Sequence, residues 1–154
     1  MQRTLFFRRI ASLIVCAAAG LGWQPTGTAA VRLPRVFGNH MVLQQGKPLL
    51  FWGLSDANET VTVTLGADSE QTRANARGEW KITLPARKAG GPLSLKVSGS
   101  SVVTCEDVLI GEVWLASGQS NMEMGIGMCR DGKAEIAAAN HPDIRLFLVA
   151  NRWA

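Results

Sequence analysis

One stretch of this 154-residue chain offers a nucleophile. Gly118-Gln119-Ser120-Asn121 follows the apolar run Val113-Trp114-Leu115-Ala116. A serine at the carboxyl end of a buried strand sits where ligands of open α/β sheets bind. Gly118 lets the backbone turn tightly and keeps bulk away from the hydroxyl. A following helix or turn would aim backbone N–H groups at a developing oxyanion. Gln119, Asn121 and Glu123 frame the loop. Glu123 is close enough in sequence to be read as a base, but accepting loop hydrogen bonds is the better reading. The spacing matches only half of a G-x-S-x-G elbow, because Met122 stands where the last glycine belongs. By itself, that spacing describes an ordinary turn.

A serine hydroxyl needs a base at neutral pH. The chain has two histidines, His40 and His141. His40 reads as a surface or loop residue, and His141 precedes Pro142 at a strand entry. There is no Cys-x-x-Cys and the histidines are far apart, so no metal site is expected. Gly125-Ile126-Gly127-Met128-Cys129-Arg130 begins like a dinucleotide fingerprint but ends in arginine without a preceding strand. No cofactor is expected.

The elements that must position Ser120 follow from periodicity. In Thr60–Leu65, Val61, Val63 and Leu65 share one face and three threonines the other. Trp80–Leu84 and Leu93–Val97 alternate in the same way. Alternation of period two means strands with one buried and one wet face. Breakers at 55–58, 76–78, 89–92 and 98–101 separate them. Residues 31–107 are therefore expected to form an antiparallel, all-β sandwich module. After Asp107 the pattern changes. Val108–Ile110 with Val113–Ala116, and later Ile144–Val149, are apolar on both faces, as strands of a parallel sheet are. A helix is expected over Lys133–Ala139, with Asp131 near its start and Asn140 near its end. Strand, loop, helix, strand is the beginning of an α/β domain. Two strands and one helix do not close a core.

Composition bounds the rest. The chain is 47% hydrophobic and 18% charged, which excludes a disordered or collagen-like chain. Three of its 16 basic residues, Arg3, Arg8 and Arg9, lie in residues 1–30, which hold no acid. The remainder sets 13 basic against 12 acidic residues. That balance carries no electrostatic footprint for nucleic acid. Arg3, Arg8 and Arg9, the apolar run Ile10–Leu21 and Thr28-Ala29-Ala30 make a secretory signal peptide, cleaved after Ala30. The run is shorter than the about 20 residues needed to span a bilayer. A soluble mature chain, periplasmic or extracellular, is expected, with no membrane span after signal removal. Cys105 and Cys129 are compatible with one disulfide and equally with two small buried thiols.

Gly111-Glu112-Val113-Trp114-Leu115-Ala116-Ser117-Gly118-Gln119-Ser120-Asn121-Met122-Glu123-Met124 resembles the nucleophile segment of the sialate O-acetylesterase family. These are carbohydrate esterases of the SGNH, or GDSL-like, group. Phe37–Gln45 resembles the family's opening β segment. Gly78-Glu79-Trp80 and Leu84-Pro85 with Ala89–Leu93 resemble its later hairpins. Asn140–Phe147 resembles the strand after the nucleophile. The resemblance covers residues 33–149 in order. It implies that Ser120 attacks an acetyl ester on a sugar, sialic acid or a polysaccharide unit, giving an acetyl-enzyme that water hydrolyses. It implies a three-layer, flavodoxin-like hydrolase domain, here its incomplete N-terminal part at 108–154. It also implies a base in an Asp-x-x-His segment. Phe37 and Ala138 precede the two histidines by three residues, so this chain has no such segment. The expectation is therefore a truncated esterase lacking its Asp and His partners. The alternative is a non-catalytic β-sandwich that binds carbohydrate or protein, with a vestigial hydrolase segment.

Overall fold

The computed structural model describes residues 30–149. The expected signal peptide lies outside the described residues, apart from Ala30. Strands come first: β1 (Val42–Gln44), β2 (Leu49–Leu54), β3 (Thr60–Leu65), β4 (Asp68–Arg73), β5 (Glu79–Leu84), β6 (Gly90–Ser98) and β7 (Val102–Gly111). Two short helices follow, α1 (Ser120–Glu123) and α2 (Gly132–Ala138), with a 3-10 turn at Ile126–Met128 between them.

β3, β5 and β6 lie where the alternation predicts. Val61, Val63 and Leu65 point inward, as do Trp80, Ile82 and Leu84, and Leu95 with Val97. Alternation produces this because a strand buries one face and wets the other. β2 and β5 pair antiparallel as a two-stranded sheet, Phe51 opposite Ile82. The other five strands form a curled, half-barrel-like mixed sheet in the order β1-β7-β6-β3-β4. The inward residues of both sheets feed one core, in which Phe51, Leu65, Leu84, Leu95 and Val108 are fully buried.

The expected fold class is corrected on two points. The larger sheet is not purely antiparallel, because β1 runs parallel to β7, with Val42 opposite Leu109 and Gln44 opposite Gly111. Parallel neighbours need a long crossover, and the whole β2–β6 meander provides it. Nor does a separate α/β unit follow. β7 continues from Val102 to Gly111 as one strand, and neither Val113–Ala116 nor Ile144–Val149 forms a strand. A strand persists only where a neighbour completes its hydrogen-bond ladder, and no described residue pairs with either segment. Their apolar side chains stand in the open, Leu115 at 93% exposure and Leu146 at 95%. The expected helix is present as α2, with Asp131 at its N-cap in the left-handed region and making no side-chain cap bond. Cys105 is buried and Cys129 exposed, and both are free thiols.

β4 was not legible in the sequence. Asp68–Arg73 has no apolar residue, yet it pairs along its full length with β3. It closes the edge of the sheet, and a polar edge discourages pairing with another chain.

Phe51→Ala is expected to lower unfolding free energy by about 3–5 kcal/mol, the cost of a cavity at a fully buried aromatic. Glu70→Ala, on the exposed face of β4, is expected to stay within about 0.5 kcal/mol. Urea denaturation of both variants checks the pair.

Candidate active site

β7 launches the nucleophile segment, and a set of amides clamps its root. The Gln45 N–H donates to the Gly111 carbonyl at 2.8 Å. Glu112, the next residue, accepts Gln45 Nε2 at 2.6 Å and Gln44 Nε2 at 3.3 Å. The Val113 N–H donates to Gln44 Oε1 at 2.9 Å, and the Ala89 N–H to Gln45 Oε1 at 3.1 Å. The Gln45 and then the Gln44 hydrogen bonds hold the Glu112 carboxyl below its usual range, against a partial desolvation. Sequence reasoning placed Gln44 and Gln45 only within an opening β segment. Their role as the clamp on the launch point was missed. The available signal was a pair of amides at the end of the apolar run Met41-Val42-Leu43.

A second tether sits at the other end of the segment. Asp107 Oδ2 accepts His40 Nδ1–H at 2.6 Å and Arg145 Nη2 at 2.9 Å. His40 and Asp107 both adopt positive φ, 64° and 54°. Arg145 arrives from the stretch after α2, and its Nε is buried without a hydrogen-bond partner among the described residues. The His40 hydrogen bond leads in holding the Asp107 carboxyl below its ordinary value; partial burial opposes it and Arg145 adds to the lowering. His40 therefore serves this cluster and is not brought to Ser120.

Between the two tethers stands Ser120, the first residue of α1. Gln119 is its N-cap residue, extended at φ −100° and ψ −152°, and makes no side-chain cap bond. The Met122 N–H returns to the Gln119 carbonyl at 2.8 Å. Gly118 has a specific steric reason: a Cβ there would lie 2.6 Å from Met122 Cγ. Ser120, Asn121 and Glu123 are exposed. Neither Ser120 Oγ nor the Glu123 carboxylate makes a hydrogen bond to another described residue, so Glu123 does not take up the loop-acceptor role. His141 is exposed, and its carbonyl accepts the Ile144 N–H at 3.0 Å. The loop at 118–123 thus presents an exposed hydroxyl that no base among the described residues engages by a hydrogen bond.

Among the described residues, no group of three or more His, Cys, Asp or Glu is arranged to hold a metal ion. No helix among them is long and apolar enough to cross a membrane.

No family model matches the chain. Sialate O-acetylesterase of Rattus norvegicus is 32% identical over 149 residues, covering 88% of this chain and 26% of that protein. Sialate O-acetylesterase of Homo sapiens is 30% identical over 146 residues, covering 86% and 26%. The crystal structure of a carbohydrate acetylesterase from Xanthomonas citri superposes with a TM-score of 0.72 at 39% identity, over 73% of this chain and 26% of that one. The chain is a relative of the sialate O-acetylesterases. It spans about a quarter of the length of the curated relatives that it matches.

The Asp107 tether has a pH signature. A carboxyl whose folded value is depressed stabilises the fold above its unfolded pKa of about 3.9, and that contribution is lost as pH falls through the folded value. Asn tolerates the left-handed backbone at 107, so Asp107→Asn removes charge without adding strain. Urea midpoints of the chain and this variant are expected to differ by a constant amount above about pH 5 and to converge below about pH 4. A gap that persists unchanged in stronger acid would contradict the tether.

Proposed function

We propose that this chain is the nucleophile-bearing part of an exported carbohydrate O-acetylesterase, with Ser120 the nucleophile. The observation that carries the reading is the Gly111–Met124 segment. It combines a serine loop launched from the end of a clamped strand with relatedness to proteins named as sialate and carbohydrate acetylesterases. In this reading Ser120 Oγ attacks the acetyl carbonyl of an acetylated sugar, sialic acid or a polysaccharide unit. The sugar alcohol leaves with the proton that Oγ gives up, and water then hydrolyses the acetyl-serine. The Ser120 N–H is one oxyanion donor. Gly118, Gln119 and Asn121 shape the loop.

Three features support the division of labour. The β elements through Gly111 form the packed support. The segment after Gly111 contributes the nucleophile. The composition of residues 1–30 supports export to the periplasm or beyond, with cleavage after Ala30.

A second reading, a non-catalytic carbohydrate- or protein-binding module, is favoured by one observation. Ser120 Oγ has no hydrogen-bonded base among the described residues.

Exchange of the matching part of the Xanthomonas citri relative for residues 31–154 separates the two. The chimera is expected to release acetate from acetylated sugars, and Ser120→Ala is expected to cut kcat by at least about 10⁴-fold. A folded, inactive chimera, or one indifferent to Ser120→Ala, favours the binding module. The 154-residue chain alone is expected to give little turnover, since catalysis without triad partners reaches only about 10³–10⁴ over water. Acetate release by the purified chain, lost in Ser120→Ala, would reverse that expectation.

A further inference from the structure

Four hydrogen bonds at the root of the serine segment admit one arrangement of donors and acceptors. Gln44 and Gln45 each turn an amide oxygen to a backbone N–H, that of Val113 at 2.9 Å and that of Ala89 at 3.1 Å. With the oxygens so placed, both NH2 groups face Glu112. Gln45 Nε2 donates to Glu112 Oε1 at 2.6 Å and Gln44 Nε2 to Glu112 Oε2 at 3.3 Å. The second Gln44 amide proton goes to the Gln45 carbonyl at 3.3 Å. An ionised carboxylate only accepts, whereas an amide both donates and accepts. The set is complete with an acid at 112 and amides at 44 and 45, and each oxygen of Glu112 has its own donor.

The set joins three segments. Gln45 lies just past β1, and its neighbour Gly46 donates its N–H to the Arg87 carbonyl at 2.8 Å. Arg87 is tied in turn to the β3–β4 hairpin, its Nε meeting Asp68 at 2.7 Å and its Nη2 the Leu65 carbonyl at 3.0 Å. Through Gln45, Glu112 is held against the 87–89 stretch as well as against β1. Beyond Glu112, the Val113 N–H is held by Gln44, and residues 114–118 make no hydrogen bond to another described residue. Among the described residues, these side-chain bonds are the last hydrogen bonds on the chain before α1.

Magnitudes separate orientation from stability here. Glu112 and Ala89 are exposed, and Gln44 and Gln45 are half-buried. Exposed polar contacts contribute little to global stability, because water replaces them. A charge-assisted network with one consistent geometry still fixes where the following segment points. Misplacing a reacting group by about 1 Å costs about 100-fold in rate. The same bonds can therefore matter little to unfolding and much to turnover.

We propose that Gln45 and Glu112 are positioning residues for the Ser120 loop, with Gln44 completing the set, and that they govern turnover and not substrate affinity. The inference rests on the esterase reading above. Gln45 and Glu112 act through the direction in which the chain leaves β7. Binding of the sugar does not require the hydroxyl in its attacking position, whereas attack on the acetyl carbonyl does.

The test exchanges the two chemical groups. Gln45→Glu alone sets two carboxylates against each other. Glu112→Gln alone leaves an NH2 group facing the NH2 of Gln44 or of Gln45, whichever way the new amide turns. The double variant satisfies every group again. The carboxylate introduced at 45 accepts the Ala89 N–H and the amide N–H introduced at 112, and the oxygen of that amide accepts Gln44 Nε2. Acetate release is measured in the chimera that carries residues 31–154 in the Xanthomonas citri relative. Amide spectra are recorded on the purified, ¹⁵N-labelled chain, with Ser120→Ala assigning the Ser120 resonance.

Each single variant is expected to lower kcat about 10- to 100-fold with KM within about twofold of the parent, and the double variant to return kcat to within about threefold. The Ser120 resonance is expected to move in both single variants and to return in the double one. Urea midpoints are expected to change little in all three. The kcat deficit of Gln45→Glu is expected to shrink as pH falls, because one carboxyl of a facing pair takes up a proton and donates it to the other. Glu70→Ala, on the strand at the opposite edge of the sheet, is expected to leave kcat unchanged. A double variant no better than the single ones overturns the positioning pair. So does a loss that appears in KM, or only in the urea midpoint. A chimera inactive before any of these substitutions fails the esterase reading instead. The Ser120 resonance then decides the pair: its return in the double variant upholds the positioning, and its indifference to all three variants overturns it.

Discussion

Everything after Gly111 depends on one pairing, that of Val42–Gln44 beside Leu109–Gly111 in parallel. The stretch from Asn39 to Gln45 accompanies β7 through its last half. The Asn39 side-chain oxygen accepts the Glu106 N–H, the His40 N–H donates to the Glu106 carbonyl, and the Leu109 N–H donates to the Met41 carbonyl. At the far end, Gln44 and Gln45 hold Glu112 and Val113. A strand paired on both sides does not fray, so β7 delivers the next residue to a defined place. Ser120 follows nine residues beyond Gly111 and inherits its position from this anchor. Without β1, β7 would be an edge strand ending in a free chain.

The same pairing divides the molecule energetically. Before Gly111, apolar side chains are inside. Phe51, Leu65, Leu84, Leu95 and Val108 are sealed from water, and each contributes about 1.5–3 kcal/mol of burial. After Gly111 the pattern inverts. Trp114, Leu115, Leu146 and Leu148 are almost fully exposed. Two polar tethers hold this second region to the first, Gln44–Gln45 on Glu112 at its root and Asp107 on Arg145 at its return. Charge-assisted hydrogen bonds of this kind fix orientation better than they exclude water. An oxyanion site works best where water is excluded, so the tethers position Ser120 without creating the low-dielectric surroundings that catalysis uses.

Legibility followed the same division. The alternating runs at 60–65, 80–84 and 93–97 were readable because period two has one physical solution, a strand with an inside and an outside. β4 was invisible because an edge strand can be polar on both faces. The segments at 113–116 and 144–149 were misread because apolarity on both faces says that burial is wanted, not that a partner is present. His40 illustrates the limit at the site. A lone histidine gives no hint of its partners, and Asp107 and Arg145 lie 67 and 105 positions further along the chain.

By itself the sequence determined the local content: where strands must alternate, which serine is offered, that no Asp-x-x-His accompanies it, and which proteins the loop resembles. These are properties of neighbouring residues, set by sterics, periodicity and chemical type. Only the tertiary structure decided that β1 runs parallel to β7, that paired amides clamp the launch of the serine loop, and that His40 serves Asp107. Each joins residues far apart in the chain, and such contacts exist only once the core of both sheets has brought their backbones together.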